Sequence, residues 1–240
     1  MTTSGTYSIS FTAGQIIDMI LMELGVLGAS QSANGADSDL VKNKMNLWLI
    51  QQNGLNNVIR SGDMMWSRET ATITLETTKY VYELKPSGGD VDIQIPSEII
   101  AAVWRDATDD TDIPLSAMNL REYSELNDKF QSAQPLRYYY EKRLDVGNFY
   151  IDCYPQSAEE IVIWYKQPVE LITTRDETFD LDPSWYRALL YNVAKDCAGP
   201  FGLGIDSPIY QGIASNAAES MLILNSFFPN NHTIQIRPGR

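Results

Sequence analysis

Apolar residues near the start of the chain recur at the spacing of an amphipathic helix. They fall one, three and four residues apart, on one helical face: Ile16, Ile17, Ile20, Leu21 and Leu24. Thr12 with Gln15 three residues later has the pattern of a capping box. Gly25 reaches the left-handed conformation without a Cβ clash, so it is expected to end this helix. The pattern therefore predicts a first helix between Thr12 and Gly25.

A small, polar stretch over residues 28–37 predicts a loop, and a second helix is predicted after it. Asp37 or Ser38 is expected to cap this second helix, and Gly54 is expected to end it. Its inner face is predicted to consist of Leu40, Val41, Leu47, Trp48 and Gln51.

Two more helices are predicted towards the other end of the chain. Asp182-Pro183 and Ser207-Pro208 each place a capping side chain before a proline, whose fixed φ suits the first helical position. The first helix is expected to end at residues 199–200 and the second to reach Phe227. Their apolar positions are Trp185, Leu189, Tyr191, Val193 and Cys197, and then Ile209, Ile213, Ala217, Met221, Leu222 and Leu224.

The middle of the chain has the pattern of β-strands. Six segments are rich in β-branched and aromatic residues and are bounded by turn formers: 71–75, 80–84, 99–105, 137–142, 148–154 and 161–165. Polarity alternates within several of them, which is typical of strands with one buried face. A hairpin turn is predicted at 145–148, and Asn119 is expected to cap a short helix over 120–129.

Helices at both ends with strands between them predict an α+β fold. We expect the terminal helices to form one bundle, from residues 1–66 and 179–227, because packing them together buries both apolar faces at once. Residues 67–178 are then an inserted antiparallel β subdomain, as a sheet or a sandwich, and residues 228–240 form a tail.

Acidic residues outnumber basic ones, and the formal net charge is −13. Residues 67–178 hold most of the excess, with 21 acidic and 11 basic side chains. Such a chain repels nucleic acid and anionic membrane surfaces, and it lacks the basic stripe of a sequence-reading DNA-binding protein. No run of about 20 apolar residues occurs, so no membrane-spanning helix is predicted.

The sequence contains no motif that is typical of catalysis or of cofactor binding, and neither is expected. His232 is the single histidine, and no nucleophile-elbow sequence such as GxSxG accompanies it. The glycines at 88–89 lack a following Gly-Lys-Ser/Thr. Those within 199–204 follow a helix rather than a strand, so they do not match a dinucleotide fingerprint.

Three other groups of residues have side chains that are found in metal or catalytic sites. The acidic segment 106–112 offers carboxylates to a calcium ion but lacks the glycine and distal glutamate of an EF-hand, which favours a solvated turn. Adjacent carboxylates at 159–160 and 176–177 arise easily by chance among 31 acidic residues. Cys153 and Cys197 do not have metal-ligand spacing and are expected to be reduced, buried thiols.

The tail differs in composition from the rest of the chain. Residues 228–240 contain His232, Arg237 and Arg240 and no acidic residue. Residues 233–236, Thr-Ile-Gln-Ile, alternate like a strand. An alternating, mildly basic end suits docking onto another chain by strand addition or in a groove. The alternative is a frayed terminus.

The order of these elements resembles a known family, and three stretches carry the resemblance. The first runs from Thr-Ala-Gly-Gln-Ile-Ile-Asp at residue 12 to Leu-Gly-Val-Leu, followed by Met-Asn-Leu-Trp-Leu at 45–49. The second is Ile-Asp-Cys-Tyr-Pro at 151–155 with Ile-Val-Ile-Trp-Tyr-Lys-Gln-Pro at 161–168. The third begins with Phe-Asp-Leu-Asp-Pro at 179 and ends at Ala194. Together they are similar to the head-to-tail adaptor or head-completion proteins of tailed bacteriophages, of the packaged-DNA stabilisation or tail accessory factor type.

This resemblance implies a structural protein of the virion, located at the head–tail junction and made in the host cytoplasm. It implies a homo-oligomeric ring, expected to be a dodecamer, that sits below the portal protein and above a tail tube or nozzle protein. DNA would pass through the ring without specific binding. The resemblance also implies a portal-binding role for the tail, carried over to Thr233, Ile234, Gln235, Ile236, Arg237 and Arg240.

Two alternatives remain open. One is a cell-wall glycan hydrolase of the virion, because some adaptors of this type have been linked with peptidoglycan cleavage. The other is a carbohydrate-binding module, with residues 138–140 and Trp164 as stacking platforms. That second alternative leaves the terminal helices without an evident role.

Overall fold

The computed structural model describes residues 9–55, 68–106, 111–179 and 181–227. The helices are α1 (Ala13–Glu23), α2 (Gly35–Leu55), α3 (Leu120–Ser124), α4 (Tyr186–Cys197) and α5 (Pro208–Phe227). The strands are β1 (Arg68–Thr74), β2 (Val81–Lys85), β3 (Val91–Asp92), β4 (Glu98–Asp106), β5 (Thr111–Pro114), β6 (Ser116–Ala117), β7 (Ser132–Ala133), β8 (Arg137–Lys142), β9 (Gly147–Ile151), β10 (Tyr154–Pro155) and β11 (Glu160–Lys166). This mixture confirms the predicted α+β class.

The chain forms two compact units. The β unit is Ser67–Pro168, and the helical unit is Met1–Trp66 together with Val169–Arg240. Each unit has an apolar core of its own. All of the helices except α3 contribute to the core of the helical unit, where α4 packs against α1, α2 and α5.

The first helix follows the sequence closely. Thr12 Oγ1 accepts a hydrogen bond from the Gln15 amide at 3.3 Å, and Gln15 Oε1 accepts one from the Thr12 amide at 2.9 Å. The predicted capping box is therefore confirmed. Gly25 has a φ of 71°, which a residue with a Cβ adopts at a cost, and the helix ends just before it.

The second helix begins earlier and turns a different face inward than the sequence predicted. Its cap is Asn34, whose Oδ1 accepts from the Asp37 amide at 2.8 Å, so the expected caps at positions 37 and 38 were wrong. Its buried residues, at spacings of three, four and one, are Ser38, Val41, Met45, Trp48, Leu49 and Gln52. Leu47 and Gln51 are exposed, because Gln51 lies more than a quarter turn from the centre of that face and Leu47 lies almost opposite it.

Two sheets share the core of the β unit. The first has the order β1-β11-β4-β5 and is antiparallel throughout. The second has the order β3-β2-β9-β8-β6, with an antiparallel centre and short parallel strands at both edges. Strands β7 and β10 form a separate parallel pair. All six predicted strand segments are found, and the buried residues of both sheets form one cluster.

Two local predictions in the β unit were wrong. The helix capped by Asn119 ends at Ser124 instead of residue 129, because only Tyr123 is buried and Asp128 then accepts from the Phe130 amide in a turn. The hairpin turn lies at residues 143–146, where the Arg143 amide donates to the Val146 carbonyl at 2.9 Å, rather than at 145–148. Residues 147 and 148 already pair with β8.

Residues 169–178, here called the strap, cross-link α1 and α2. The amides of Ala13 and Gly14, which have no partner within the helix, donate to strap carbonyls at 2.8 Å each. Asn46 exchanges two hydrogen bonds with the backbone of Ile172, at 2.8 and 3.0 Å. Arg175 forms a bidentate pair with Asp18, at 2.9 and 3.0 Å. The strap thereby satisfies polar groups on both helices.

Candidate interaction surfaces

Several candidate sites from the sequence lie outside the described residues. These are the proposed portal-binding residues Thr233, Ile234, Gln235, Ile236, Arg237 and Arg240, together with His232. Residues 107–110 of the acidic segment are also outside.

The described part of the acidic segment forms an ion pair. Arg105 donates to both carboxylate oxygens of Asp112, at 2.8 and 2.9 Å. These hydrogen bonds hold the pKa of Asp112 below its ordinary value. Among the described residues, no group of three or more His, Cys, Asp or Glu side chains is placed to hold a metal ion.

The two cysteines are free and buried, as predicted. Burial raises the pKa of the Cys153 thiol to about 12 and that of Cys197 to about 11. Both thiols are therefore protonated at neutral pH, which makes them poor nucleophiles and metal ligands.

Within the described ranges, no helix is both long enough and apolar enough to span a bilayer.

Residues 138–140 do not form the exposed stacking platform that the carbohydrate-binding alternative requires. Tyr138 is 4% exposed, and the hydroxyl of Tyr140 donates to the Pro96 carbonyl at 2.7 Å. Both side chains point into the core because alternate residues of a strand share a face. Tyr139 lies on the outer face, stacked with Tyr123 of α3 at 5.4 Å between ring centroids.

Tyr123 covers part of that outer face. The centroid of its ring lies 5.1 Å from that of the Tyr150 ring. The Lys129 amine forms a cation–π contact with the Tyr123 ring, at 4.2 Å from its centroid. Burial raises the pKa of Tyr123 to about 12, so its hydroxyl stays neutral. The outer face of the second sheet is therefore largely a packed tyrosine cluster.

A second aromatic group remains open to solvent. Phe130 is 66% exposed, although its ring packs edge-on against Tyr80 at 5.8 Å and lies tilted against Tyr154 at the same distance. The group lies beside the β7–β10 pair, since the Tyr154 amide donates to the Gln131 carbonyl. An aromatic side chain so placed is typical of a contact surface.

A cavity of about 120 Å³ lies next to the same strand pair, because Pro155 of β10 lines it. Apolar groups of Trp104, Pro135 and Pro155 line it. Gln134 and Glu159 also line it, and one buried polar atom of each, Nε2 of Gln134 and Oε2 of Glu159, has no hydrogen-bond partner. A buried donor or acceptor without a partner costs roughly 1–3 kcal/mol, so an arrangement that leaves both atoms unpaired needs an explanation.

The most exposed large apolar side chain described is Leu144, at 91%. It lies at the tip of the hairpin between β8 and β9, flanked by Lys142, Arg143 and Asp145. Arg143 pairs with Glu141 at 2.8 Å, whereas Lys142 and Asp145 make no ion pair among the described residues. Tight turns rarely hold an isolated leucine for local reasons, because turn positions favour Gly, Asn, Asp and Pro.

Two helices of the helical unit also carry exposed apolar residues. On α2, Leu47 and Ile50 are 61% and 53% exposed and lie three residues apart on one face. On α5, Leu222 is 70% and Ile223 38% exposed, while Ile213, on another face, is buried. In the part of the chain that the structure describes, these side chains therefore leave apolar surface exposed on both helices.

The strap, the cavity and the hairpin tip were not recognised in the sequence. No periodic pattern marks the strap, and the cavity combines residues from four separate segments. Of these three features, only the hairpin tip could have been recognised from the sequence, because Leu144 is a leucine within a polar turn.

Comparison with known proteins gives no match among curated proteins. A match to the family model described as SU10 adaptor protein spans residues 12–221. That range includes every helix and strand described above except the last residues of α5. The chain therefore belongs to the SU10 adaptor protein family, a family of phage head–tail adaptors.

Proposed function

We propose that this chain is the subunit of a homo-oligomeric ring, a dodecamer, that lies below the portal and joins the phage head to the tail. The observation that carries the proposal is the family match over residues 12–221. An adaptor acts through its surfaces, and the unpartnered apolar residues on α2 and α5 are suited to contacts between neighbouring subunits. The ring contacts the portal on one side and a tail tube or nozzle protein on the other.

The charge of the chain supports a role in lining a DNA channel. A ring through which DNA slides must not bind phosphate groups tightly, and a subunit with a net charge of −13 repels them. DNA passes through such a ring without specific contacts. The subunit is made in the host cytoplasm and becomes part of the virion.

We propose that three parts of the chain have different roles. Residues 1–66 and 169–227, which include the strap, form the helical body of the ring, residues 67–168 form a β-rich insert, and residues 228–240 dock on the portal. Thr233, Ile234, Gln235, Ile236, Arg237 and Arg240 are the proposed contacts. The alternating pattern of the first four supports docking as an added strand.

The experiment is the mass of the purified protein by light scattering, alone and mixed with its portal. We expect a ring, either with the protein alone or only after the portal is added. A persistent monomer that ignores the portal would overturn the proposal. Assays for glycan hydrolysis and sugar binding would then become the next step.

A further inference from the structure

The first strand of the β unit has an open edge. β1 pairs with β11 along its whole length, and no backbone hydrogen bond joins its other edge to any described segment. Proteins usually protect such an edge with proline, with charged side chains or by keeping the strand very short, because its unpaired N–H and C=O groups can take up another strand. Over residues 70–74, Thr-Ala-Thr-Ile-Thr, β1 has none of these protections.

The other edges of the two large sheets are protected. β3 and β6 have two residues each, which is too short for another strand to pair with stably. β5 has four residues, carries Asp112 and ends at Pro114, which has no N–H to donate. Among the described strands of these sheets, β1 is therefore the edge best suited to strand addition.

The side chains along this edge alternate between two environments. Thr70, Thr72 and Thr74 are exposed, whereas Ala71 and Ile73 pack into the core of the β unit. An added strand would therefore lie beside hydroxyl groups on its outer face and beside apolar groups on its inner face. In strand addition the main chain supplies affinity, and side chains that match such alternation supply specificity.

Residues 6–10, here called the N-terminal arm, have the matching alternation. Their sequence is Thr-Tyr-Ser-Ile-Ser, so three hydroxyl residues alternate with Tyr7 and Ile9. Residues 9 and 10 are described, and neither belongs to a strand. The side chain of Ile9 is 54% exposed. The described part of the chain thus leaves the apolar face of the arm open at Ile9.

Charge also favours a contact between these two segments. Residues 1–10 contain no Asp, Glu, Lys or Arg, and neither do residues 70–74. They can therefore meet without repulsion between like charges, although the chain as a whole has a net charge of −13. Residues 233–236 of the tail alternate too, but they offer one hydroxyl and are followed by Arg237, so the arm matches the edge more closely.

We propose that the N-terminal arm of one subunit adds as a strand to the β1 edge of a neighbouring copy of this chain. When the arm lies opposite residues 70–74, Ser8 is beside Thr72 in either strand direction, and Ile9 is on the side of Ala71 and Ile73. Hydroxyl pairs across neighbouring strands stabilise a sheet. The arm and the edge are different surfaces, so the contact is head-to-tail and can repeat around a closed ring. The inference rests on the proposed ring, and it names one of the ring's contacts.

The decisive experiment mixes two variants of the full chain, Ser8→Cys and Thr72→Cys, before assembly alone or on the portal. Each variant carries one new cysteine, so a disulfide between the two new cysteines joins two subunits. Opposed positions on neighbouring strands are close enough for such a bridge. We expect a covalent dimer on a non-reducing gel. The native Cys153 and Cys197 are buried and should not react.

The matched control is Ile9→Cys mixed with Thr72→Cys, because a shift of one residue turns the cysteine to the opposite face of the added strand. We expect much less cross-linking in this mixture. Thr70→Cys and Thr74→Cys replace Thr72→Cys in two further mixtures, which cover a register shifted by two residues.

The outcomes separate this contact from the ring itself. Rings that give no cross-link in any mixture, or equal amounts with Ser8→Cys and Ile9→Cys, would overturn the inference while leaving the ring intact. A disulfide that forms only within single chains carrying both Ser8→Cys and Thr72→Cys would mean that the arm adds to its own chain, which also overturns it. If the wild-type chain forms no ring, the proposed function fails and this contact fails with it.

A second measurement tests the apolar face of the arm. Ile9→Asp places a carboxylate beside Ala71 and Ile73, and it is expected to raise the concentration needed for half-assembly by about tenfold or more. Ser10→Asp adds the same charge on the solvent-facing side and should change this concentration by less than about twofold. Both residues are exposed, so neither change should disturb the fold of the subunit. Equal effects of the two variants would overturn the inference.

Discussion

At the scale of single residues, Arg175 is the side chain that ties the strap to the rest of the helical unit. Besides its bidentate pair with Asp18, it donates to the Ala33 carbonyl at 3.3 Å and to Ser38 Oγ at 3.2 Å. Its side chain is 34% exposed and that of Asp18 is 20% exposed, so solvent screens the pair only partly.

We predict that Arg175→Met lowers the free energy of unfolding by about 2 kcal/mol, because it leaves a largely buried carboxylate without its partner. Urea unfolding measures the change, and a double-mutant cycle with Asp18→Asn isolates the pair. Arg121→Met, at the exposed pair with Glu125, is the control and should change stability by less than about 0.5 kcal/mol. Equal effects at both arginines would contradict a structural role for the strap.

Glu177 gives the strap a pH dependence. Hydrogen bonds from the Thr173 side chain and from the backbone of residues 173 and 174 lower its pKa from 4.5 to about 2. A carboxyl with a depressed pKa stabilises the fold above its unfolded pKa and loses that contribution as pH falls towards its folded pKa. Urea midpoints should therefore fall more steeply for the wild type than for Glu177→Gln between pH values of about 4.5 and 2. Parallel curves would contradict this assignment.

The strap contacts show which side-chain partners can be predicted from the sequence and which cannot. The capping pairs of α1 and α3 lie three residues apart and could be recognised from local chemistry. The partners of Arg175 and Asn46 lie 157 and 126 residues away. Nothing in the local pattern specifies such partners, because they depend on how distant segments come together.

At the scale of elements, the Tyr140 side chain of β8 packs directly against the backbone of β9 only because residue 147 is glycine. A Cβ at Gly147 would lie 2.5 Å from the hydroxyl oxygen and 2.9 Å from a ring carbon of Tyr140. The Tyr140 hydroxyl is held by its bond to the Pro96 carbonyl. The ring therefore cannot move aside without losing that hydrogen bond.

We predict that Gly147→Ala lowers the free energy of unfolding by about 1–3 kcal/mol through overpacking. Adding Tyr140→Phe removes the nearest clashing atom and should recover part of the loss. Gly212→Ala is the control, at an exposed helical position with open space around the added Cβ, where alanine should stabilise by about 0.5–1 kcal/mol. Thermal unfolding reports all three, and an unchanged Tm for Gly147→Ala would disprove the close approach.

The sequence predicted which segments form helices and which form strands, but it predicted the boundaries of these elements less accurately. The strands of the β unit were found because β-branched and aromatic runs alternate with turn formers. The cap of α2 was missed because Asn34 lies in a polar stretch with several capping candidates, including Asp37 and Ser38. The inner face of α2 was predicted wrongly because Leu47 is apolar yet exposed. The sequence alone does not distinguish an exposed leucine from a buried one.

At the scale of the whole molecule, the order of elements carried the functional assignment. No motif was diagnostic by itself, and the family match over residues 12–221 agrees with the resemblance in the same region. The tail proposed to dock on the portal, residues 228–240, lies beyond that match. The proposal for it rests on the alternating pattern of residues 233–236 and on the basic residues that follow.

The tail can be tested by deletion. We predict that removing residues 231–240 leaves a folded protein, with unchanged circular dichroism and Tm, that no longer joins portal rings. Co-sedimentation with purified portal measures the loss. A deletion that unfolds the chain would show that the tail is part of the core, and the docking role would fail.

Substitutions that follow the alternating pattern of residues 233–236 test the docking more specifically than the deletion does. A docked strand buries one of its faces and leaves the other in solvent. Ile234→Asp with Ile236→Asp places two charges on the apolar face, and Thr233→Asp with Gln235→Asp places the same two charges on the polar face. Both pairs change the net charge equally, so any electrostatic effect on encounter with the portal is shared. Loss of portal binding in the isoleucine pair alone would show that one face is buried at the portal. Equal loss in both pairs would mean that the tail binds through its charge and not as a strand.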